Sequence, residues 1–367
     1  MRVETIRLIN FRNYRNIKVE LNPKLNIFLG DNAQGKTNLL ESIYISALGR
    51  SYKTNRDREL INHEKTQAYI GLETVNERGD RFIEVKFDLK RPKRIRINKI
   101  ELDRVNDILG NLNVVIFSPE DLKLVKEGPG ERRDFLDNEI SQIKPLYRHN
   151  IQKYNNVLFQ RNRLLKSRNR DIYDTIEVWD SQLAEFGARI MTDRMNFIDK
   201  LKKISSGIHR DITGGKEKLD IKYISSVNYI SSDFKELRDY YREKLENGIS
   251  EDIERGNTGL GIHKDDLEIN IDGMSCRNYG SQGQQRTAAL SLKLAEVELI
   301  KEEIGEYPVI LLDDVLSELD INRRTKLISS FRDIQTIITS TDDIELEEYS
   351  SSEKTLFHIE QGNIYKG

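Results

Sequence analysis

Gly30-Asp31-Asn32-Ala33-Gln34-Gly35-Lys36-Thr37 fits the pattern G-x-x-x-x-G-K-[ST], and its reading decides the fold. Leu25-Asn26-Ile27-Phe28-Leu29 before it reads as a short buried strand. After it, Leu39, Leu40, Ile43 and Ala47 recur at helical spacing, and Gly49 reads as a C-cap. Strand, glycine loop and helix come in the order a phosphate-binding loop needs. Gly30 and Gly35 let the backbone N–H groups of the loop, through Asp31, Asn32, Ala33 and Gln34, turn towards a polyphosphate. The helix points its positive end at the same place. Lys36 is placed to reach the β/γ-phosphates, and the Thr37 hydroxyl to ligate Mg²⁺.

The chain has 367 residues, enough for two or three domains with real cores. It is 37% hydrophobic and 33% charged, with a net charge of −2, so any basic surface must be local. One cysteine, Cys276, excludes an internal disulfide and a cysteine-rich zinc site, and suits a reducing cytoplasm. No signal peptide and no apolar run near 18 residues are found, so secretion and membrane spanning are not expected.

Residues 1–20 alternate apolar and polar around Asn10-Phe11-Arg12-Asn13-Tyr14, predicting two strands and a polar turn. Residues 70–100 alternate again and predict a hairpin-rich sheet, whose basic end at 90–96 reads as a solvated edge strand. Val114-Val115-Ile116-Phe117 is a short apolar strand. From about Pro129 to about Leu245 helical periodicity dominates. Between 144 and 170 stand eight cations and no carboxylate: Lys144, Arg148, Lys153, Arg161, Arg163, Lys166, Arg168 and Arg170. A one-signed helix face of this kind can neutralise phosphates; the competing reading is an ordinary solvated face. Strand patterning resumes with Leu267-Glu268-Ile269-Asn270-Ile271. The division expected is therefore a head from 1–128 and 256–367, interrupted by a helical arm over 129–255.

Val309-Ile310-Leu311-Leu312 ends in Asp313-Asp314, a buried strand delivering carboxylates at its end. Asp313 is assigned to the metal, and Asp314 to orienting and deprotonating the attacking water. Ser281-Gln282-Gly283-Gln284-Gln285-Arg286 opens a further helix, and small residues at a helix start expose N–H groups to an anion. A monomeric small-molecule kinase has no use for this second anion loop.

Ser281-Gln282-Gly283-Gln284-Gln285 resembles the signature motif of ABC-type ATPases, and Ser317-Glu318-Leu319-Asp320 resembles their D-loop. Among them the chain is most similar to the RecF family. The matching stretches are 10–14, GDNAQGKTNLLE (30–41), FSPEDL (117–122), GERRDFLD (130–137), SQGQQRT (281–287) and LLDDVLSELD (311–320), in the family's order. One departure is Gly261-Ile262-His263-Lys264-Asp265-Asp266, where the family usually has Pro and Arg at the second and fourth positions.

The resemblance implies an α/β fold: an ABC/SMC-type P-loop ATPase head with an antiparallel β subdomain and an inserted α-helical arm. It implies ATP and Mg²⁺ as cofactors and two ATPs sandwiched in a homodimer, with Ser281 and Gly283 of one protomer on the other's γ-phosphate and Arg286 nearby. Arg12 and Asn13 then contact the nucleotide on the P-loop side, and Thr339-Ser340-Thr341 stands where transporters keep their switch histidine. Duplex and gapped DNA, RecR, and RecO and RecA downstream are the implied partners, with slow hydrolysis acting as a timer. An SMC-like chromosome-structure ATPase is the alternative, against which the short insertion argues.

Overall fold

The computed structural model describes residues 1–167, 172–229, 231–318, 324, 327–328, 330–341, 350 and 352–367. Its contacts divide the chain into one unit made of Met1–Asp121 with Glu296–Gly367, and a second made of Leu122–Ala295.

Among the described residues, the first unit holds two six-stranded sheets. In one, Leu25–Leu29, Thr336–Ser340 and Val309–Asp313 lie parallel and adjacent. Val114–Phe117 lies parallel beyond Val309–Asp313, and Lys354–Glu360 parallel on the other side of Leu25–Leu29. Asn363–Lys366 closes that edge antiparallel. Every residue of the three central strands is buried. Strands covered on both faces cannot alternate, which is why they read as unbroken apolar runs. The register sets Phe28 beside Thr339 and Thr339 beside Asp313, so three strand ends reach one edge.

The second sheet is antiparallel, in the order Tyr14–Glu20, Arg2–Phe11, Gln67–Asn76, Gly79–Asp88, Arg94–Ile97, Ile100–Glu101. Both expected hairpin regions are present. The basic stretch differs from expectation: Arg94–Ile97 pairs along its length with Gly79–Asp88 and, at Arg96 and Ile97, with Ile100–Glu101, and it buries Ile95, so the two-residue strand Ile100–Glu101 is the edge. Helix Lys36–Leu48 touches strands of both sheets and buries all its residues except Thr37 and Asn38. A helix between two sheets is covered on nearly every face, so its apolar residues are not confined to one stripe. Gly49 ends it at φ 73°, returning its N–H to the Ile45 carbonyl at 2.7 Å. The buried Gln335 accepts from Val3 N at 2.7 Å and donates to Val3 O at 2.8 Å, tying the two sheets together.

The second unit is built on helices Pro129–Ile143, Pro145–Ser167 and Ile172–Thr213, with Phe234–Asn247 against the last. A strand missed by the periodicity, Leu219–Ile224, interrupts this block. Leu219 and Ile221 are buried while Asp220 and Lys222 are not, a period of two too short to register beside long helices. This strand pairs along its whole length with Asp266–Ile271, from Asp266 opposite Ile224 to Ile271 opposite Leu219. That ladder draws residues 256–295 into the helical unit, whereas the sequence placed them in the head.

Candidate nucleotide-binding site

The P-loop leaves its strand at Gly30, where a Cβ would lie 2.4 Å from the Ile359 carbonyl oxygen. Gly35, at φ 118°, would set a Cβ 2.5 Å from Asn13 Nδ2. Only glycine fits there. The loop is clamped from outside: Asn13 Nδ2 donates to the Gln34 carbonyl at 2.7 Å and the buried Tyr14 hydroxyl to the Gly35 carbonyl at 2.9 Å. Asn38 Nδ2 in turn donates to Asn13 Oδ1 at 2.9 Å. Lys36, only 6% exposed, donates to the carbonyls of Gly30 and Asp31 at 2.5 and 3.1 Å.

Asp313 comes to this loop from 276 residues away. Its Oδ1 accepts from Thr37 Oγ1 at 2.8 Å and from Thr339 Oγ1 at 3.1 Å; its Oδ2 accepts from the Tyr52 hydroxyl at 3.1 Å. Burial, and then the Asp313 carboxylate, push the Tyr52 hydroxyl far above its ordinary range, so it stays protonated and donates. The two metal candidates, Thr37 and Asp313, are thus in contact. Both supply hard oxygen donors, which suits Mg²⁺. Asp314 turns away from its strand at φ 54°, a left-handed geometry that Asp tolerates better than most residues, and its N–H donates to Thr339 Oγ1 at 3.1 Å. Tyr52 has no motif around it in the sequence; besides this contact, its ring packs edge-on against Tyr44, with centroids 5.1 Å apart.

Arg12, also at positive φ, is held by Glu41 through a fork at 2.9 and 2.8 Å and by the Glu59 carbonyl at 2.9 Å. Glu41, fully buried on the P-loop helix, ends the family stretch 30–41. Its charge explains why an arginine stands at 12. Arg12, Asn13, Asn38 and His63 line a cleft of about 770 Å³ beside the loop.

In the second unit, Ser281 and Gln284 cap each other: Gln284 N donates to Ser281 Oγ at 3.2 Å and Ser281 N to Gln284 Oε1 at 2.9 Å. Helix Gln282–Ile304 therefore starts with Ser281 exposed, Gly283 partly so and Arg286 exposed. The D-loop residues Leu319 and Asp320 lie outside the described residues.

The basic run divides. Lys153, Arg163 and Lys166 are exposed; Arg148 is half-buried, and Lys144 pairs with Asp193 at 2.9 Å. Arg168 and Arg170 lie outside the described residues. Arg161 is a correction: it is 0% exposed, donating to Asp180 at 2.5 Å, to Asp252 at 2.6 Å and to Thr258 at 2.8 Å. It faces inward because the helix alternates Tyr147, Ile151, Tyr154, Val157, Arg161 and Leu165 on its buried side. A guanidinium there requires carboxylates beside it.

The departing stretch 261–266 lies in the same polar core. Gly261, at φ 130°, would set a Cβ 2.1 Å from the Tyr241 hydroxyl and 2.3 Å from that of Tyr154. Arg194 donates to the Ile262 carbonyl at 3.0 Å and to Asp137 at 2.8 Å, and Arg132 forks onto Asp266 at 2.6 and 2.9 Å. Burial holds the His263 imidazole down at about 4, so it is neutral beside Tyr154. Lys264 is exposed.

Residues 2–364 match the model of the RecF/RecN/SMC N-terminal domain. The chain is 47% identical to the DNA replication and repair protein RecF of Alkaliphilus oremlandii (strain OhILAs), covering 99% of this chain and 100% of that one. A solved structure of the recombination mediator protein RecF with ATP, of the RecFOR pathway, superimposes with a TM-score of 0.93 at 37% identity, over 100% of this chain and 97% of that one. An SMC head domain from Pyrococcus furiosus, 16% identical with a TM-score of 0.56 over 100% of this chain and 95% of that one, shares the fold. The chain belongs to the RecF family of DNA replication and repair proteins, ATPases of the ABC/SMC fold.

Proposed function

We propose that this chain is an ATP-gated DNA-binding protein of recombinational repair, whose two protomers close on two ATP molecules and reopen after slow hydrolysis. The observation that carries this reading is the 2.8 Å contact between Thr37, at the start of the P-loop helix, and Asp313, at a strand end, which supports one nucleotide site built from both ends of the chain. Thr37 and Asp313 would hold Mg²⁺, which on binding offsets the charge of the β- and γ-phosphates. Lys36 binds the same phosphates, and Asp314 orients the attacking water and takes its proton. The cleft beside Arg12 and Asn13 takes the nucleoside end. The exposed Ser281, with Gly283 and Arg286, meets the γ-phosphate held by the other protomer.

Lys153, Arg163 and Lys166, with Lys144 and Arg148, present phosphate contacts to duplex or gapped DNA, and DNA stimulates turnover. Such contacts carry no sequence information. RecR is the direct protein partner, with RecO and RecA downstream. The setting is the cytoplasm; among the described residues no helix is long and apolar enough to cross a membrane.

Mixing two inactive variants tests the shared site. Lys36→Met lacks the phosphate contact, and Ser281→Arg blocks docking onto the other protomer's nucleotide. Neither alone should hydrolyse ATP, while their mixture should recover turnover through the one intact pairing. A silent mixture, or loss of monomeric ATP binding in Ser281→Arg, would contradict the shared site.

A further inference from the structure

The signature serine is held by a chain of contacts that begins in the long helix of its own unit. Helix Ile172–Thr213 ends at Gly214 and Gly215, both left-handed at φ 62° and 75°, and Gly215 N returns to the Arg210 carbonyl at 2.8 Å. This turn brings Glu217 back beside His209, whose Nε2 is 3.4 Å from Glu217 Oε2. His209 is fully buried and fixed on its other side, with Nδ1 3.1 Å from Ser291 Oγ. Glu217 Oε1 accepts from Gln284 Nε2 at 3.2 Å. Gln284 is the residue that caps Ser281.

An ionised carboxylate accepts hydrogen bonds and never donates, so it admits one orientation of the Gln284 amide: NH₂ towards Glu217, oxygen towards the Ser281 N–H. Rotated by half a turn, the amide would aim its oxygen at the carboxylate and its NH₂ at an N–H. Both contacts would then be repulsive.

We propose that Glu217 is a positioning residue for the signature serine: by fixing the Gln284 amide, it holds Ser281 and Gln284 in reciprocal caps and sets the serine hydroxyl at the head of its helix. This rests on the reading that Ser281 meets the nucleotide of the other protomer. Glu217 touches no reacting atom and acts through Gln284 alone.

The test is a mutant cycle read as ATP turnover. Glu217→Ala should lower kcat about tenfold, the scale of one missing hydrogen bond, leaving KM and the affinity of monomeric protein for ATP unchanged. Glu217→Gln, which keeps a carbonyl acceptor, should recover most of the rate. Gln284→Ala should cost a similar factor, and the double variant no more than Gln284→Ala alone. Additive losses, or unchanged kcat in Glu217→Ala, would overturn the proposal. Should Glu217→Ala fail to fold, a kcat for Glu217→Gln as low as that of Gln284→Ala would overturn it equally. Ser281→Arg separates the two levels. If it hydrolyses ATP normally, the shared-site reading has failed; if it is inactive while Glu217→Ala is unimpaired, only the positioning role has failed.

Discussion

The P-loop and the core of the helical unit both gather buried cations, with opposite outcomes. Lys36 meets two backbone carbonyls, and among the described residues no carboxylate pairs with it. Arg161, Arg194 and Arg132 each meet at least one carboxylate: Asp180 and Asp252, Asp137 and Asp265, Asp266. A cation facing carbonyl dipoles keeps its charge available to an arriving phosphate. One enclosed by carboxylates is already neutralised, and its role is to hold helices together. Charge counted along the sequence cannot make this distinction; the partner's chemistry does.

The largest expected effects break this contrast at its two poles. Lys36→Met should weaken ATP binding by roughly 100-fold or more, since it removes charge-assisted hydrogen bonds of about 1.5–3 kcal/mol each to the phosphates, and should barely change the melting temperature. Arg161→Glu should do the reverse. Leaving Asp180 and Asp252 unpaired in the core should cost about 3–5 kcal/mol of stability, seen as an earlier denaturant midpoint. A stably folded Arg161→Glu protein would place that side chain at the surface after all.

Replacing the three exposed cations Lys153, Arg163 and Lys166 by Glu sharpens the comparison. Stability should hold within about 0.5 kcal/mol per site. DNA affinity should fall alike for all sequences, with the log–log salt dependence flattened by about 0.9 for each phosphate that the variant no longer neutralises. Unchanged affinity and slope would reduce this face to ordinary solvation.

How much of this was legible follows from where each residue's partner sits. Gly30, Gly35, Lys36, Thr37 and Asp313 are readable because strand, loop and helix are contiguous and a parallel sheet brings strand ends to one edge. Tyr52 and Glu41 are not, because their partners are defined only by the fold. Arg161 misled for the same reason: Asp180 and Asp252 are distant in sequence and appear nowhere in a run that itself contains no acid. The strand Leu219–Ile224 was hidden by its brevity, and with it the attachment of the signature stretch to the helical unit.

A smaller effect concerns acid. The folded His263 titrates near 4 against about 6.5 in an unfolded chain, so the unfolded state takes up the proton first as pH falls. Its contribution is complete above about 6.5 and is lost progressively towards 4. Replacing it as His263→Gln should make the fall of unfolding free energy over that window shallower by up to one proton's slope, read from urea midpoints at several pH values. An unchanged slope would show that His263 is not the titrating group.

The central claim is that one nucleotide joins two chains, and solution mass measures it most directly. By light scattering, the wild-type protein should be monomeric without nucleotide and dimeric with ATP. Asp314→Asn should remain dimeric long after ATP is added, and Lys36→Met should be monomeric throughout. A dimer of equal abundance with and without ATP, or one formed as readily by Lys36→Met, would contradict it.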